Sequence, residues 1–384
     1  MTGPVLPGGT LGVVGGGQLG RMFTLDARRM GYRVMVLDPD PESPTGQVAD
    51  DRIVAPYTDA SAVQQLVERC DVVTYEFENV DADAVATSEA SGFVRPGSHV
   101  LRVAQHRLIE KGALAENGFP VAEYAAVDTM ADMVKAVEQI GTPAVLKTAT
   151  SGYDGKGQIV LRSAVDMREA HSRLRQQSVA LILESFVPFD MEISVIAARG
   201  PDGDVVCFPP SENQHVDGIL DVSIVPARIS DEVREAATKL ASGIADALDV
   251  VGLVAVEMFV TTDGELLVNE IAPRPHNSGH YTQDGCATSQ FEQLVRAICG
   301  LPLGSTELLS PVVMVNLFGD VWADAGGTPD WDAALGVRGA VLHLYGKAEA
   351  RIGRKMAHIN VTAPDVETAL ARALDARERA AGRG

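Results

Sequence analysis

Glu257 and Glu270 flank an Asp263-Gly264 turn in the stretch VEMFVTTDGELLVNEIAPRPHNSGH, residues 256–280. Two alternating apolar runs around Asp-Gly are the pattern of a β-hairpin. With Asp263-Gly264 as a two-residue loop, Thr262 pairs with Glu265, and counting outward sets Glu257 opposite Glu270. Facing carboxylates repel across a strand pair. A cation between them removes the conflict, and hard divalent ions take carboxylate oxygens. The chain then leaves through Pro273-Arg274-Pro275-His276-Asn277-Ser278-Gly279-His280. Two prolines stiffen this exit, holding a guanidinium, an imidazole and an amide near the acids. The combination favours a metal–phosphate site over a hairpin with solvated edge acids. The same count puts Asn269 on the opposite face from both glutamates.

A second constellation lies upstream. The apolar run Ala144-Val145-Leu146 ends in Lys147, and Ser151-Gly152-Tyr153-Asp154-Gly155-Lys156-Gly157-Gln158 follows before a strand from Ile159. Glycines at this density between strands suggest a hairpin lid whose N–H groups and Lys156 cover phosphates. The order is not that of a P-loop. A third glycine cluster, Gly15-Gly16-Gly17-Gln18-Leu19-Gly20, joins the strand Thr10–Val14 to a helix stopped by Gly31. With Asp38 closing a strand over Arg33–Leu37, it has the form of a βαβ dinucleotide fingerprint. Taken alone it fits NAD, another phosphate, or tight packing. Glu76 and Glu78 follow a strand over Asp71–Tyr75. They either face the crevice of an open sheet or start a helix. Arg107 begins the helix His106–Gly118, where a surface cation is the simpler reading. Ala180–Val187 and Met191–Val195 read as strand, linker and strand, a slot for a purine base. His215 lies in the polar run Ser211–Asp217, and Lys347 and Arg351–Lys355 cluster cations near the end.

The elements around these groups alternate strand and helix over 384 residues, enough for two or three domains. A hydrophobic share of 46% with 22% charged residues is that of a globular chain. The net charge of −20 argues against general nucleic-acid binding, so an anionic ligand needs local cations. The cysteines Cys70, Cys207, Cys286 and Cys299 show no C-x-x-C spacing, which suits a reduced, cytoplasmic setting. No apolar run reaches membrane-spanning length and no signal peptide is evident.

A glycine-rich βαβ unit, a lysine with a glycine lid, and paired glutamates on a late hairpin stand in the order of the ATP-grasp superfamily. Within it, GGGQLGRM, YEFENV, GYDGKGQ and NEIAPRPHNSGH closely resemble the 5-(carboxyamino)imidazole ribonucleotide synthase family of purine biosynthesis. The resemblance runs from about residue 10 to about 360. It implies an α/β and α+β architecture: a Rossmann-like preATP-grasp domain over 1–104, an ATP-grasp domain over 105–308 with a mobile lid at about 120–187, and a small domain over 309–384. It implies carboxylation of 5-aminoimidazole ribonucleotide with ATP, bicarbonate and Mg2+, through carboxyphosphate. Arg107 and Lys147 then meet the nucleotide phosphates under the lid Gly152–Gln158, which includes Tyr153, Gly155, Lys156 and Gly157. Glu184, Ser185, Phe186 and Val187 hold adenine largely through backbone groups, Glu192 takes the ribose, and His215 shares the pocket. Glu257 and Glu270 bind Mg2+ with Asn269 beside them. The position two residues after Glu270, an asparagine ligand in many ATP-grasp enzymes, is Ala272. Gln18, Leu19, Glu76, Lys347 and Arg354 bind the imidazole nucleotide, while Asp154, Arg274, His276 and Asn277 surround bicarbonate, with Asp154 as the candidate base. A homodimer is implied, with neither nucleic acid nor membrane as partner. Three rivals stay open: a formate-using glycinamide ribonucleotide transformylase, an NAD-dependent dehydrogenase and a non-catalytic nucleotide sensor.

Overall fold

The computed structural model describes residues 3–150, 157–177 and 180–383. The first sheet is parallel, in the order β3-β2-β1-β4, from β1 (Thr10–Val14), β2 (Arg33–Leu37), β3 (Asp51–Ile53) and β4 (Val72–Tyr75). The helices Gln18–Arg29 and Ala60–Arg69 cross between its strands. β1, β2 and β4 are continuous apolar runs, buried except at the first residue of β1 and of β2. A parallel sheet covered on both faces requires that pattern.

The second sheet is antiparallel, in the order β5-β8-β6-β7: β5 (Tyr124–Val127), β6 (Ala144–Thr148), β7 (Gln158–Leu161) and β8 (Leu181–Ser185). The helices Met130–Ile140 and Met167–Arg175 cover it through Met133, Val137, Ala170 and Leu174. β8 stops at Ser185, so Phe186 and Val187 fall in the connection to the next strand.

The third sheet has nine strands. They are β9 (Phe189–Arg199), β10 (Val205–Cys207), β11 (Ser211–Val216), β12 (Ile219–Val225), β13 (Gly252–Thr261), β14 (Leu266–Ala272), β15 (Val312–Phe318), β16 (Ala340–Leu344) and β17 (Lys355–Thr362). Their order is β14-β13-β9-β11-β12-β15-β17-β16, with β10 on β9. The pairing of β12 with β15 carries this sheet continuously across residues 308 and 309. The polar run from Ser211 forms the strand β11. Its inward Ser211 and Asn213 are buried by bonding to Ser194 of β9 rather than by being apolar.

The hairpin of β13 and β14 differs from the two-residue turn expected. Thr261 N–H donates to the Glu265 carbonyl and Gly264 N–H to the Thr261 carbonyl, both at 2.9 Å. The loop is therefore Thr262-Asp263-Gly264, closed by Gly264 at φ +78°. Next to it the register pairs Met258 with Val268 and Phe259 with Leu267, one residue off the expected count. Continued, that register would set Glu257 against Asn269. An extra residue in β14 intervenes, and Glu257 pairs with Glu270 after all. The expected pairing holds because the wrong turn length and the unforeseen bulge cancel. The bulge also corrects the face of Asn269. Asn269 and Glu270 are consecutive half-buried positions between the buried Val268 and Ile271, so both lie on one face.

Gly264 has open space around its α-carbon and a left-handed backbone. Gly264→Ala should destabilise by about 1–2 kcal/mol through backbone strain alone. Urea unfolding should show a lower midpoint with unchanged ATP affinity; a change in affinity would mean that the turn reaches the site.

Candidate active site

The helix Arg107–Glu116 begins at β14, where Arg107 Nη1 bonds Glu270 Oε2 at 2.7 Å. Arg107 is thus no ordinary surface cation. On the facing sheet, Lys147 of β6 and Glu184 of β8 are diagonal neighbours, and their side chains meet at 2.7 Å. Burial opposes charge on Glu270 and on Glu184. The cations outweigh it: Arg107 and Lys147 for Glu270, and Lys147, Lys111 and Arg107 for Glu184, holding both carboxyls below their usual range. Glu184 Oε1 and Asn269 Oδ1 are buried without a hydrogen-bond partner.

Glu257 is oriented from below. Asn213 Nδ2 donates to Ser194 Oγ at 2.9 Å, and Ser194 Oγ donates to Ser278 Oγ at 2.6 Å. Ser278 Oγ and backbone N–H both reach His276 Nδ1, at 2.8 and 3.3 Å. Two donors on Nδ1 assign the proton to Nε2, which faces Glu257 Oε1 at 3.0 Å. Beside it, His215 Nδ1 lies 3.0 Å from Glu192 Oε2. Burial works against a charged His215, but Glu192 and then Glu257 raise its pKa above the ordinary value. Among the described residues, Glu192, His215 and Glu257 form the group whose ligand atoms all lie within 4.8 Å. Glu270 turns instead towards Arg107. Two carboxylates on paired strands with an orphaned amide oxygen are hard oxygen donors, a set that fits Mg2+.

The segment after β14 ties the site to the first sheet. Arg274 grips Glu78 through Nε and Nη2, and the next helix starts only at Ala82, so Glu78 does not open it as one reading allowed. Asn277 is differently committed from the bicarbonate contact expected of it. Its amide pairs reciprocally with Asn316 of β15 at 3.1 and 2.7 Å, and Asn277 is 8% exposed. Both ends of the side chain are taken, which makes Asn277 an anchor for the segment.

The first glycine loop is already capped. Glu76 accepts N–H bonds from Gly17 and, at 2.8 Å, from Gly20, at the N-terminus of the helix Gln18–Arg29. Burial raises its pKa against the effect of those N–H groups. Asp38, the acid of the dinucleotide fingerprint, accepts from Gly16 N–H at 2.6 Å and from Tyr57 Oη. A Cβ on Gly15 or Gly17 would lie 2.5 Å from Glu76 atoms. These glycines make room for the protein's own carboxylates.

Residues 9–105 match the ribonucleotide synthetase preATP-grasp domain, residues 112–291 the ATP-grasp domain, and residues 312–372 the phosphoribosylaminoimidazole carboxylase C-terminal domain. The N5-carboxyaminoimidazole ribonucleotide synthase of Bacillus subtilis is 49% identical over 92% of this chain and 92% of its own. The Brucella melitensis enzyme of the same name is 46% identical over 93% and 97%. The chain belongs to the N5-carboxyaminoimidazole ribonucleotide synthase family. It is an ATP-grasp ligase by that membership. A crystal structure of an ADP complex of such a synthetase superposes with a TM-score of 0.93 at 50% identity, covering 98% of each chain. The Aspergillus clavatus synthase in complex with ADP and 5-aminoimidazole ribonucleotide gives 0.89 at 36% identity, covering 97% and 99%.

Within this synthase fold the remaining site residues separate into groups. Gln18 and Leu19 open the first helix, Leu19 packing on the central core. Lys347 acts electrostatically on Glu76 and donates to the Lys355 carbonyl at 2.6 Å. Gln47 Nε2 bonds the Gly346 carbonyl at 2.8 Å, which docks the C-terminal segment against the first domain. Arg354 Nη1 bonds the Glu349 carbonyl at 2.9 Å. Ser185 and Phe186 N–H groups are taken by the carbonyls of Glu123 and Pro143. Gln158 begins β7 directly after Gly157, while Gly152, Tyr153, Asp154, Gly155 and Lys156 lie outside the described residues. Sequence reasoning missed Glu110, Lys111 and Asn316. Glu110 and Lys111 stand three and four residues after Arg107, a spacing that marks one helix face.

Asn277→Ala and Asn316→Ala should each cost about 1–3 kcal/mol, because each leaves a buried amide unpaired. The double variant should cost clearly less than the sum. Strict additivity in a denaturant double-mutant cycle would break the pairing argument.

Proposed function

We propose that this chain carboxylates the exocyclic amine of 5-aminoimidazole ribonucleotide, using ATP and bicarbonate, as a step of purine biosynthesis. The observation carrying the reading is the hairpin face on which Glu257, Asn269 and Glu270 lie together, opposite Arg107 and Lys147. The fungal relative's ligands supply the nucleotide and the amine substrate. Residues 1–104 then serve the imidazole nucleotide, 105–308 the ATP with its lid at about 120–187, and 309–384 closes the substrate side. Magnesium as the metal, a homodimer and a cytoplasmic location complete the reading.

The ligand-free ion pairs are placeholders for substrate. Arg107 and Lys147 each rest on a carboxylate, and an incoming triphosphate exchanges those partners for its own oxygens. Glu257 and Glu270 would hold Mg2+, which neutralises charge on the transferring phosphoryl group. A bicarbonate oxygen attacks the γ-phosphorus and ADP leaves, giving carboxyphosphate. Loss of phosphate releases carbon dioxide within the closed site. The amine nitrogen then attacks its carbon, and the amine proton passes to Asp154. Arg274 remains charged against Glu78 and orients the bicarbonate side. Adenine recognition falls to groups of residues 184–187 other than the Ser185 and Phe186 N–H groups. Glu192 takes the ribose with His215 behind it, and Glu76 and Lys347 face the imidazole nucleotide beside Gln18 and Leu19.

A dehydrogenase reading is disfavoured because Glu76 and Asp38 occupy the loop where a dinucleotide phosphate and ribose would sit. Phosphate release from ATP should require bicarbonate and rise on adding 5-aminoimidazole ribonucleotide, with formate unable to substitute. Glu270→Ala should lower that rate by at least about 10²-fold; a rate near wild type would remove the metal role. Asp154→Ala should keep ATP affinity and stop carbamate formation. Lost ATP affinity there would reassign Asp154 to the nucleotide.

A further inference from the structure

β14 is the outer strand of its sheet, and the bulge at Asn269 adds to the backbone groups that point away from β13. The helix Arg107–Glu116 supplies partners there. Lys111 Nζ donates to the Val268 and Asn269 carbonyls at 3.0 and 2.8 Å, and Ile271 N–H donates to Glu110 Oε1 at 2.6 Å. Glu110 is 2% exposed and Lys111 1%. Burial opposes ionisation of both, raising the carboxyl and lowering the ammonium pKa. A buried ion costs several kcal/mol unless its partners are well placed. Here one ammonium satisfies two carbonyls at once, which its three donors allow.

We propose that Glu110 and Lys111 are positioning residues that lock β14 in its bulged register and so put Asn269 and Glu270 on the nucleotide face together. The inference rests on the proposed function for its consequence, though its geometry stands apart. In a hairpin of regular register the Asn269 carbonyl and the Ile271 N–H would point into the ladder with β13, while Val268, whose N–H donates to the Pro120 carbonyl on the outer edge of β14, would still face away from it. That register pairs Glu257 with Asn269 and turns Glu270 to the opposite face. The stability cost of the buried pair therefore has an identifiable return in register, the best-attested use of buried polar groups. Arg107, Glu110 and Lys111 share one face of a single helix. The helix that holds the register thus also delivers the cation that meets Glu270.

The test uses the whole chain carrying Lys111→Met, with Lys111→Arg and Glu110→Gln as conservative partners. Amide hydrogen exchange is read on residues 266–272 without substrate, and calorimetry compares ATP binding with and without Mg2+. Lys111→Met should speed exchange in 266–272 at least about tenfold while β9 and β15 stay protected. It should weaken Mg2+-dependent ATP binding by about 10–100-fold, the range found for residues behind metal ligands. Binding without Mg2+ should change far less. Lys111→Arg, which keeps its donors, and Glu110→Gln, which keeps an acceptor for Ile271, should both retain protection. If Lys111→Met fails to fold, these two variants decide: loss of protection confined to 266–272 in both overturns the role assigned to the bonds. Unchanged exchange and unchanged Mg2+ dependence in Lys111→Met overturn the proposal, as does loosening spread over the whole chain. Wild-type phosphate release with bicarbonate tests the activity separately, so the two failures are distinguishable.

Discussion

One extra residue in one strand governs the geometry of this site. Side chains alternate along a strand, so regular β14 could offer the face that carries Glu257 either Asn269 or Glu270. The bulge offers both and keeps Glu270 against Glu257. From there the polar face spreads across the sheet. Glu257 pairs with Ser194 on β9, and Glu192 stands two residues along the same strand. His215 follows on β11, the next strand over. A dense patch of oxygen and nitrogen atoms thus forms on a sheet whose other face is a core of Val254, Val256, Met258 and Val268.

Cationic and acidic side chains interleave across this patch. Arg107, Lys111 and Lys147 stand against Glu110, Glu184 and Glu270, each cation and each acid within the others' field. The whole chain carries −20, so binding a triphosphate through bulk attraction is out of reach. A local, pre-paired set solves this differently. Arg107 is oriented by Glu270 and Lys147 by Glu184. Coupling to the first domain uses the same chemistry, since Glu78 holds Arg274 beside Glu257 and Glu270. The first sheet is thereby tied to a guanidinium that acts electrostatically on Glu257 and Glu270.

The legible parts of this chain are those in which burial and periodicity agree. β1 and β2 have the bounds that their apolar runs suggest, and the hairpin acids pair as expected. Where polar atoms are buried by bonding to each other, hydropathy conceals the element. β11 is such a case, with Ser211 and Asn213 inside, and so is the Asn277–Asn316 pair. The bulge escaped because counting from a turn assumes strict alternation and a known loop length. Both assumptions failed here by one residue in opposite senses. Glu110 and Lys111 were hidden for a related reason. Two of their partners, the Asn269 carbonyl and the Ile271 N–H, face that helix only because of the bulge.

The glycine loop after β1 shows why a local signature is weaker evidence than the occupant of its anion position. Its spacing, its helix and the acid after β2 all match a dinucleotide site. In the folded chain Glu76 supplies the negative charge that the helix N-terminus favours. Asp38 bends back to Gly16 and leaves no carboxylate for an adenosine ribose. Small residues are needed in the loop for either purpose, so the glycines alone carry no information about which was realised. The discriminating residue lies on β4's far end, 59 positions from Gly17 and joined to it only by the parallel sheet. A carboxylate fixed at that spot converts a phosphate cradle into a rigid wall. Lys347, approaching from the C-terminal segment, finds an acid in place there and acts on it electrostatically.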